Sequence, residues 1–366
     1  MNEAIANMFG MSKRDSNMEL LRIVCMLFIV MHHFITEILA PDLYRQDVEQ
    51  WDGYRSGLYL FNNLLFVGVN VFVLISGYYG IKAKVRGFAN LYFQCAFYGL
   101  LAYLIHLYVD NASLGMSVIN NSLLVFSHCQ WWFIGSYIGL YILSPLINKG
   151  LSLMSIKEHL GAILIMTFLE MWLGFVWGTG CEPTGYGVLH MVYIYIIGAY
   201  IRKRVDMDAL RNHRCTLIGI YVGSIVAMTG IILLNTYVWH SDAAILRPWV
   251  YNNPLLIIAS IAFFMLFGTF QFSNKWVNFC ASSVLAAYLL PEAFYARRIV
   301  IGTMGGGVFE GLSLTKAVVV CVLWGISVLL ICVGIDKIRM IMMIPVWKVY
   351  DRIEKKCNDC WMKIKK

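Results

Sequence analysis

Charge is scarce in this 366-residue chain: Asp, Glu, Lys and Arg together make up 14% of it, against roughly 25% in an ordinary soluble domain. A soluble protein of this size would have too little polar surface to cover its core. Long hydrophilic stretches are missing as well, which excludes disorder and leaves only short loops, with no room for an appended soluble domain. The apolar runs do not alternate in segments of about ten residues, which disfavours a membrane β-barrel. No small-x-small cleavage site follows the first apolar run, 20–40, and that run is too long for the core of a cleavable leader. Cys357 and Cys360 have no second ligand pair, so the tail carries no zinc signature. Gly305-Gly306-Gly307 lacks the Lys-Ser/Thr of a phosphate loop and reads as an outer turn. No internal repeat is visible.

Hydrophobicity is what the chain has in excess. Apolar residues make up 60%, with 21 Phe, 21 Tyr and 11 Trp, and the mean hydropathy is +0.68. Most of the ten cysteines, Cys25, Cys95 and Cys321 among them, sit inside apolar runs, where a thiol packs as a small hydrophobe. Runs near 20 residues, the length that crosses a bilayer as a helix, occur at 18–40, 58–80, 88–109, 121–147, 159–177, 185–201, 215–237, 250–271, 281–301 and 314–335. The fourth has room for a re-entrant piece at 127–132. The expected fold is an all-α integral membrane protein, a polytopic bundle of about ten transmembrane helices. It divides into an N-terminal segment 1–17, a transmembrane domain 18–335 and a basic tail 336–366.

Placing the N-terminus in the cytoplasm puts Lys13, Arg14, Lys82, Lys84, Arg86, the run Arg202-Lys203-Arg204 and the tail inside. The outer segments then hold few cations, chiefly Arg45, Arg55, Arg247, Arg297 and Arg298. That asymmetry satisfies the positive-inside rule and places both termini inside. The net charge of +8 therefore reports topology and gives no reason to invoke nucleic acid. The tail can act as a solvated topology anchor or lie against anionic headgroups.

Ionisable residues inside a span are expensive and point to function. The first span holds Glu19, Arg22, His32, His33 and Glu37. Arg22 and His33 are eleven residues apart, which in a helix is about three turns plus 20°, so they share a face with His33 about 16 Å further along. Glu19 can pair with Arg22, and Glu37, one turn beyond His33, can orient the imidazole. His32 points about 100° away. Read singly, Arg22 is a snorkelling headgroup contact and each histidine an interhelical one. Together they suggest a site. Glu170, in the fifth span, has no partner visible in the sequence.

Arg22-x10-His33, in the stretch Asn17-Met18-Glu19-Leu20-Leu21-Arg22 through Met31-His32-His33-Phe34, resembles the opening span of the membrane-bound acyltransferase 3 family. Gly68-Val69-Asn70-Val71-Phe72-Val73-Leu74-Ile75-Ser76-Gly77 is similar to its phenylalanine-bearing second span. Trp131-Trp132-Phe133 with Tyr137, Tyr141 and Ser144-Pro145 resembles its Trp-Phe/Tyr-Pro segment, and Tyr251-Asn252-Asn253-Pro254 the opening of a late span in the glycan-modifying branch. The resemblance runs from about 15 to 335. Two places depart from the pattern. Relatives often carry Arg-x-x-Arg after the second span, whereas this chain has Lys82, Lys84 and Arg86, and Lys is a poorer fork for phosphate oxygens. Relatives often place a histidine after the Tyr-Leu-Leu of the ninth span; here Tyr288-Leu289-Leu290 continues into Pro291-Glu292.

The resemblance implies a bacterial inner-membrane enzyme that moves acetyl from cytoplasmic acetyl-CoA to a hydroxyl of an extracytoplasmic or lipid-linked glycan, with no tightly bound cofactor or metal. Arg22, Lys82, Lys84 and Arg86 would hold the donor's anionic parts. His33 would serve as general base or as an acetylated nucleophile, with Glu37 assisting. Read from the residues themselves, Trp131, Trp132, Tyr137 and Tyr141 form either an acceptor cleft or a packing or interfacial aromatic belt, and Arg297 and Arg298 meet either an anionic acceptor or the outer headgroups. A proton-coupled transporter or flippase of a polysaccharide precursor, or an acyltransferase with another acceptor, also fits buried His, Glu and Arg.

Overall fold

The computed structural model describes residues 14–43, 52–110, 115–116, 122–125, 127, 129–178, 181–241, 250–305 and 307–364, with the side chains of 355 and 357–364 left aside. Among these residues there is no strand. The helices are α1 (Ser16–Phe34), α2 (Gly53–Leu65), α3 (Gly68–Tyr79), α4 (Val85–Val109), α5 (Trp132–Leu153), α6 (Ile156–Thr167), α7 (Val188–Arg204), α8 (Arg214–Leu234), α9 (Pro254–Gly268), α10 (Lys275–Ala281), α11 (Ala286–Leu289), α12 (Phe294–Met304), α13 (Leu314–Met342) and α14 (Ile344–Ile364). Widened π turns prolong α1 (Ile35–Leu39), α6 (Phe168–Val176) and α8 (Asn235–Trp239).

Every one of the ten apolar runs carries helix, but fewer meet the demands of a full span by length and composition. Among the described residues six do, or seven if the bent pair Lys275–Leu289 and Phe294–Met304 is one broken span. The expected continuous ninth helix over 281–301 is corrected by that bend of 77°. Pro291, at the break, has no N–H to donate into the ladder. At the fourth run, Ser127 and 129–131 are not helical and α5 starts only at Trp132, while 128 lies outside the described residues.

Local chemistry sets the helix ends. Ser155 and Glu158 close a reciprocal capping box on α6, which satisfies two orphan amide donors. Asn253 caps α9, whose first residue is Pro254, the position where a missing N–H costs nothing. Inside α5, Pro145 frees the carbonyl of Tyr141, and the Ser144 hydroxyl donates to that oxygen at 2.8 Å.

Helix α1 is the centre of the bundle and packs against α2, α3, α9, α10, α11 and α13. Small residues permit the closest approaches. A Cβ on Gly68 would lie 2.9 Å from the Cys25 carbonyl oxygen of α1, and one on Gly77 would lie 2.1 Å from the Tyr195 carbonyl oxygen of α7. Polar staples add register: Ser16 Oγ donates to Asn278 Oδ1 at 2.9 Å, and Asn63 Nδ2 to Thr229 Oγ1 at 2.9 Å. The outward faces keep large apolar side chains exposed, among them Leu146, Leu164, Phe168, Trp172 and Leu330, as a lipid-facing surface does.

Candidate active site

His33 sits in the last α-helical turn of α1, just before the chain widens into the π turn 35–39. Its Nδ1 lies 2.8 Å from the carbonyl oxygen of Ile29. A carbonyl only accepts, so Nδ1 carries the proton and the neutral ring leaves its Nε2 lone pair free. Nε2 faces Glu292 Oε2 at 3.6 Å. Glu292 reaches this point because the chain breaks at Pro291, between α11 and α12. A straight ninth helix would have carried that carboxylate elsewhere.

Glu37 takes a different part from the one its spacing suggested. The imidazole is oriented by Ile29, not by Glu37, and the π turn re-aims the carboxylate toward α12, where Arg297 Nη2 meets its Oε1 at 2.5 Å. Local π geometry of this sort recurs at functional sites. Ligating atoms of His33, Glu37 and Glu292 all lie within 4.8 Å of one another. That spacing suits a divalent ion, but the Arg297 guanidinium already lies on Glu37 and supplies positive charge there.

Two cavities meet at His33. One is lined by His33, Glu37, Glu292, Arg297, Tyr288 and Trp324 among others. The other is largely apolar, with Met26, Ile29, His33, Val69, Phe72, Trp132, Phe133, Tyr251, Leu285 and Tyr288 around it. His33, Ile29 and Tyr288 belong to both. The carboxylates and the guanidinium thus line the first cavity, and aromatic and aliphatic side chains dominate the second.

At the far end of α1, Arg22 Nη1 pairs with Glu19 Oε1 at 2.5 Å, as the spacing suggested, and the guanidinium stands 5.9 Å over the Tyr79 ring of α3. The neighbouring loop carries Lys82 and Lys84, both exposed. Arg86 opens α4 and is engaged by the tail: its Nη1 lies 2.6 Å from Asp351 Oδ1, and it stands 5.2 Å over the Trp347 ring.

The four aromatic residues expected to form one cleft are dispersed. Trp132 lines the apolar cavity. Trp131 precedes the helix and is buried, its indole N–H donating to the Leu289 carbonyl at 3.1 Å. Tyr137 stacks on Phe133 with ring centroids 5.7 Å apart and lies 3.4 Å from the Ser76 hydroxyl. Tyr141 is at the Arg22 end, where its hydroxyl accepts from the Lys84 amide at 2.9 Å and donates to the Lys84 carbonyl at 2.8 Å. Nine residues of helix separate Trp132 from Tyr141 by about 14 Å, too far for one wall. Arg297, expected to meet an anionic acceptor, is neutralised by Glu37.

Sequence reading missed Glu292 as a neighbour of His33, and it missed a second buried group. His190 Nδ1 lies 3.0 Å from Glu170 Oε2, and Nε2 lies 3.0 Å from Asn70 Oδ1. Asn70 Nδ2 donates to the Tyr251 carbonyl at 3.0 Å, so its oxygen is the atom turned to His190 and Nε2 is the donor. Nδ1 and the Glu170 carboxyl are hydrogen-bonded to each other. Glu170 was legible as a costly intramembrane acid; its partner stands 20 residues later in the chain and on another helix. This group braces Tyr251, whose ring lines the apolar cavity and stacks on Phe66 at 4.5 Å and Trp132 at 5.3 Å. Tyr186 packs against Trp132, with ring centroids 4.3 Å apart.

A family model for the acyltransferase domain of the acyltransferase 3 group matches residues 15–336. No curated protein matches the chain, and no solved structure does. The matched segment contains α1 with both cavities and the broken ninth span, and among the described residues six helices, or seven with the bent pair, are long and apolar enough to cross a membrane. The chain belongs to the acyltransferase 3 family and is a multi-pass membrane acyltransferase.

Proposed function

We propose that this acyltransferase moves an acetyl group from cytoplasmic acetyl-CoA to a hydroxyl of an extracytoplasmic or lipid-linked glycan, in the inner membrane of a bacterium. The observation that supports this reading is that His33 lines two adjoining cavities, one largely aromatic and aliphatic and the other holding Glu37, Glu292 and Arg297. A thioester carried on a slender arm suits the apolar sleeve. A polyhydroxylated acceptor suits the side where carboxylates can receive its O–H groups.

In this mechanism Arg22 holds polar parts of the donor at the cytoplasmic boundary, with Lys82 and Lys84 adding positive charge. Arg86 joins them when it leaves Asp351. His33 Nε2 removes the acceptor hydroxyl proton as the oxygen attacks the thioester carbonyl carbon. The tetrahedral adduct collapses with cleavage of the C–S bond, and the departing thiolate takes the proton from His33 Nε2. Both ring nitrogens are protonated only between those two steps. Ile29 then accepts from one and Glu292 faces the other, so the transient imidazolium lies between a carbonyl dipole and a carboxylate.

The test is turnover of radiolabelled acetyl-CoA by the purified protein in nanodiscs, comparing wild type with His33→Ala and Arg22→Ala. Loss of transfer and of slow hydrolysis in His33→Ala, with a raised donor KM in Arg22→Ala, supports the assignment. Wild type that neither binds nor consumes acetyl-CoA removes the donor. Full activity in His33→Ala removes the base.

A further inference from the structure

Helix α14 begins one residue after α13 ends, separated only by Met343, so its first turns lie at the end of a 29-residue apolar helix. Three chemically distinct faces run along it. At 100° per residue, taking Val346 as zero, Val349 and Ile353 fall at about 300° and 340°, Trp347 and Asp351 at about 100° and 140°, and Lys348 and Arg352 at about 200° and 240°. The 100–140° face is the one packed on the protein. Trp347 is 7% exposed, its ring lies 6.2 Å from Phe93 between centroids, and Asp351 holds Arg86. The stripe of Val346, Val349 and Ile353 is neither covered by the bundle nor polar, with exposures of 39%, 54% and 56%.

We infer that α14 is an interfacial helix that binds a membrane surface rich in anionic phospholipid. Its open stripe sits among acyl chains beside α13, and Lys348 and Arg352, on the flank next to that stripe, reach phosphate groups. Three arguments favour lipid over other occupants. The stripe is continuous with a span that already faces lipid. The cations are adjacent to the stripe instead of opposite the membrane, as snorkelling requires. The protein-facing side is separately satisfied by Trp347 and Asp351, so the helix has no need to roll its apolar stripe inward. Amphipathic helices with basic flanks bind bilayer surfaces through this combination of apolar burial and attraction to anionic headgroups. The inference is independent of the reaction catalysed.

The experiment uses the full-length protein in nanodiscs of phosphatidylcholine alone or mixed with phosphatidylglycerol. A solvent-sensitive fluorescent amino acid, introduced by stop-codon suppression, replaces Val349 in one sample and Arg352 in another, and quenching by neutral acrylamide is measured. The label at 349 is expected to be blue-shifted and shielded, and the label at 352 to be quenched readily. Native mass spectrometry is expected to show wild type retaining phosphatidylglycerol over phosphatidylcholine. Lys348→Gln and Arg352→Gln should each lower that preference about fivefold, the equivalent of one cation near a charged surface. Equal quenching at both positions, or no lipid preference in wild type, overturns the inference. Shielding at 349 that appears only at high protein-to-lipid ratio also overturns it, because the occupant is then a second copy of the chain.

Discussion

Glu292 stands 3.6 Å from the free nitrogen of His33, although the two residues lie in the first and ninth apolar runs of the chain. The carboxylate is brought there by a 77° break at Pro291. In the proposed mechanism a carboxylate at this place stabilises the imidazolium that forms when His33 takes the acceptor proton. Glu292→Gln keeps the shape and removes that stabilisation. The expected result is a kcat lowered about tenfold to a hundredfold, the equivalent of roughly 1.4–2.7 kcal/mol, with little change in donor KM because the residue lines the other cavity and not the apolar one. Glu292→Asp should recover part of the loss. Steady-state kinetics on the three proteins decides this; a change in KM alone would assign Glu292 to binding.

The Glu170–His190 pair predicts a stability effect, not a kinetic signature of chemistry. Both side chains are almost fully buried, at 1% and 3% exposure, so deleting either leaves the other uncompensated. Breaking a buried pair in this way costs about 3–5 kcal/mol. His190→Leu and Glu170→Leu should each lower the thermal midpoint in detergent sharply. The double variant should cost clearly less than the two single effects added together, because it leaves no orphaned charge. Additive losses would mean that the two residues act separately and that the hydrogen bond between them is not what holds them.

Much of the architecture could be read from the sequence because apolar run length is a one-dimensional signal. Helices occur in all ten runs, and the pairing of Glu19 with Arg22 follows from a spacing of three. What failed was whatever depends on a departure from regular helix. Periodicity places Glu37 near His33, and it does lie within 4.8 Å of the imidazole, but the π turn also brings it onto Arg297, which no spacing shows. A run of the right length reads as a continuous ninth helix, yet Pro291 breaks it and brings in Glu292. The four aromatic residues at 131–141 are neighbours in sequence, but helical rise and rotation spread them from Leu289 to Lys84. Partnerships across helices, such as Glu170 with His190, leave no mark in a single sequence at all.

The close contact of α3 with α7 makes its glycines unequal to those facing outward. A Cβ at Gly77 would lie 2.1 Å from a backbone carbonyl oxygen, and one at Gly198 would lie 2.4 Å from the Leu74 carbonyl oxygen, whereas Gly219 and Gly223 on α8 have nothing within 4 Å. Backbone cannot move aside as a flexible side chain does. Gly77→Ala and Gly198→Ala should therefore force the helices apart and yield little folded protein. Gly219→Ala and Gly223→Ala should be neutral or stabilising by up to about 1 kcal/mol, since alanine is the better helix former. Size-exclusion profiles and thermal midpoints of the four variants compare these outcomes directly. Normal accumulation of Gly77→Ala would refute the contact.

The apolar cavity beside His33 also predicts which acyl chain is accepted. The proposed mechanism puts the thioester carbonyl beside His33, against the wall of Phe72, Trp132, Phe133, Tyr288 and Leu285, so every added methylene of the acyl group needs space taken from one of these side chains. A pocket discriminates a single methylene by about 1–3 kcal/mol, or roughly tenfold to two-hundredfold. Leu285 is an aliphatic member of this lining, so its truncation opens the cavity without removing an aromatic ring. Leu285→Ala should lower turnover of acetyl-CoA modestly, because a smaller acyl group sits loosely, and raise the kcat/KM ratio of butyryl- to acetyl-CoA by at least tenfold. Competition between the two labelled donors in one reaction measures that ratio. If it stays constant while His33→Ala abolishes transfer, the thioester enters by another route and the apolar cavity serves packing alone.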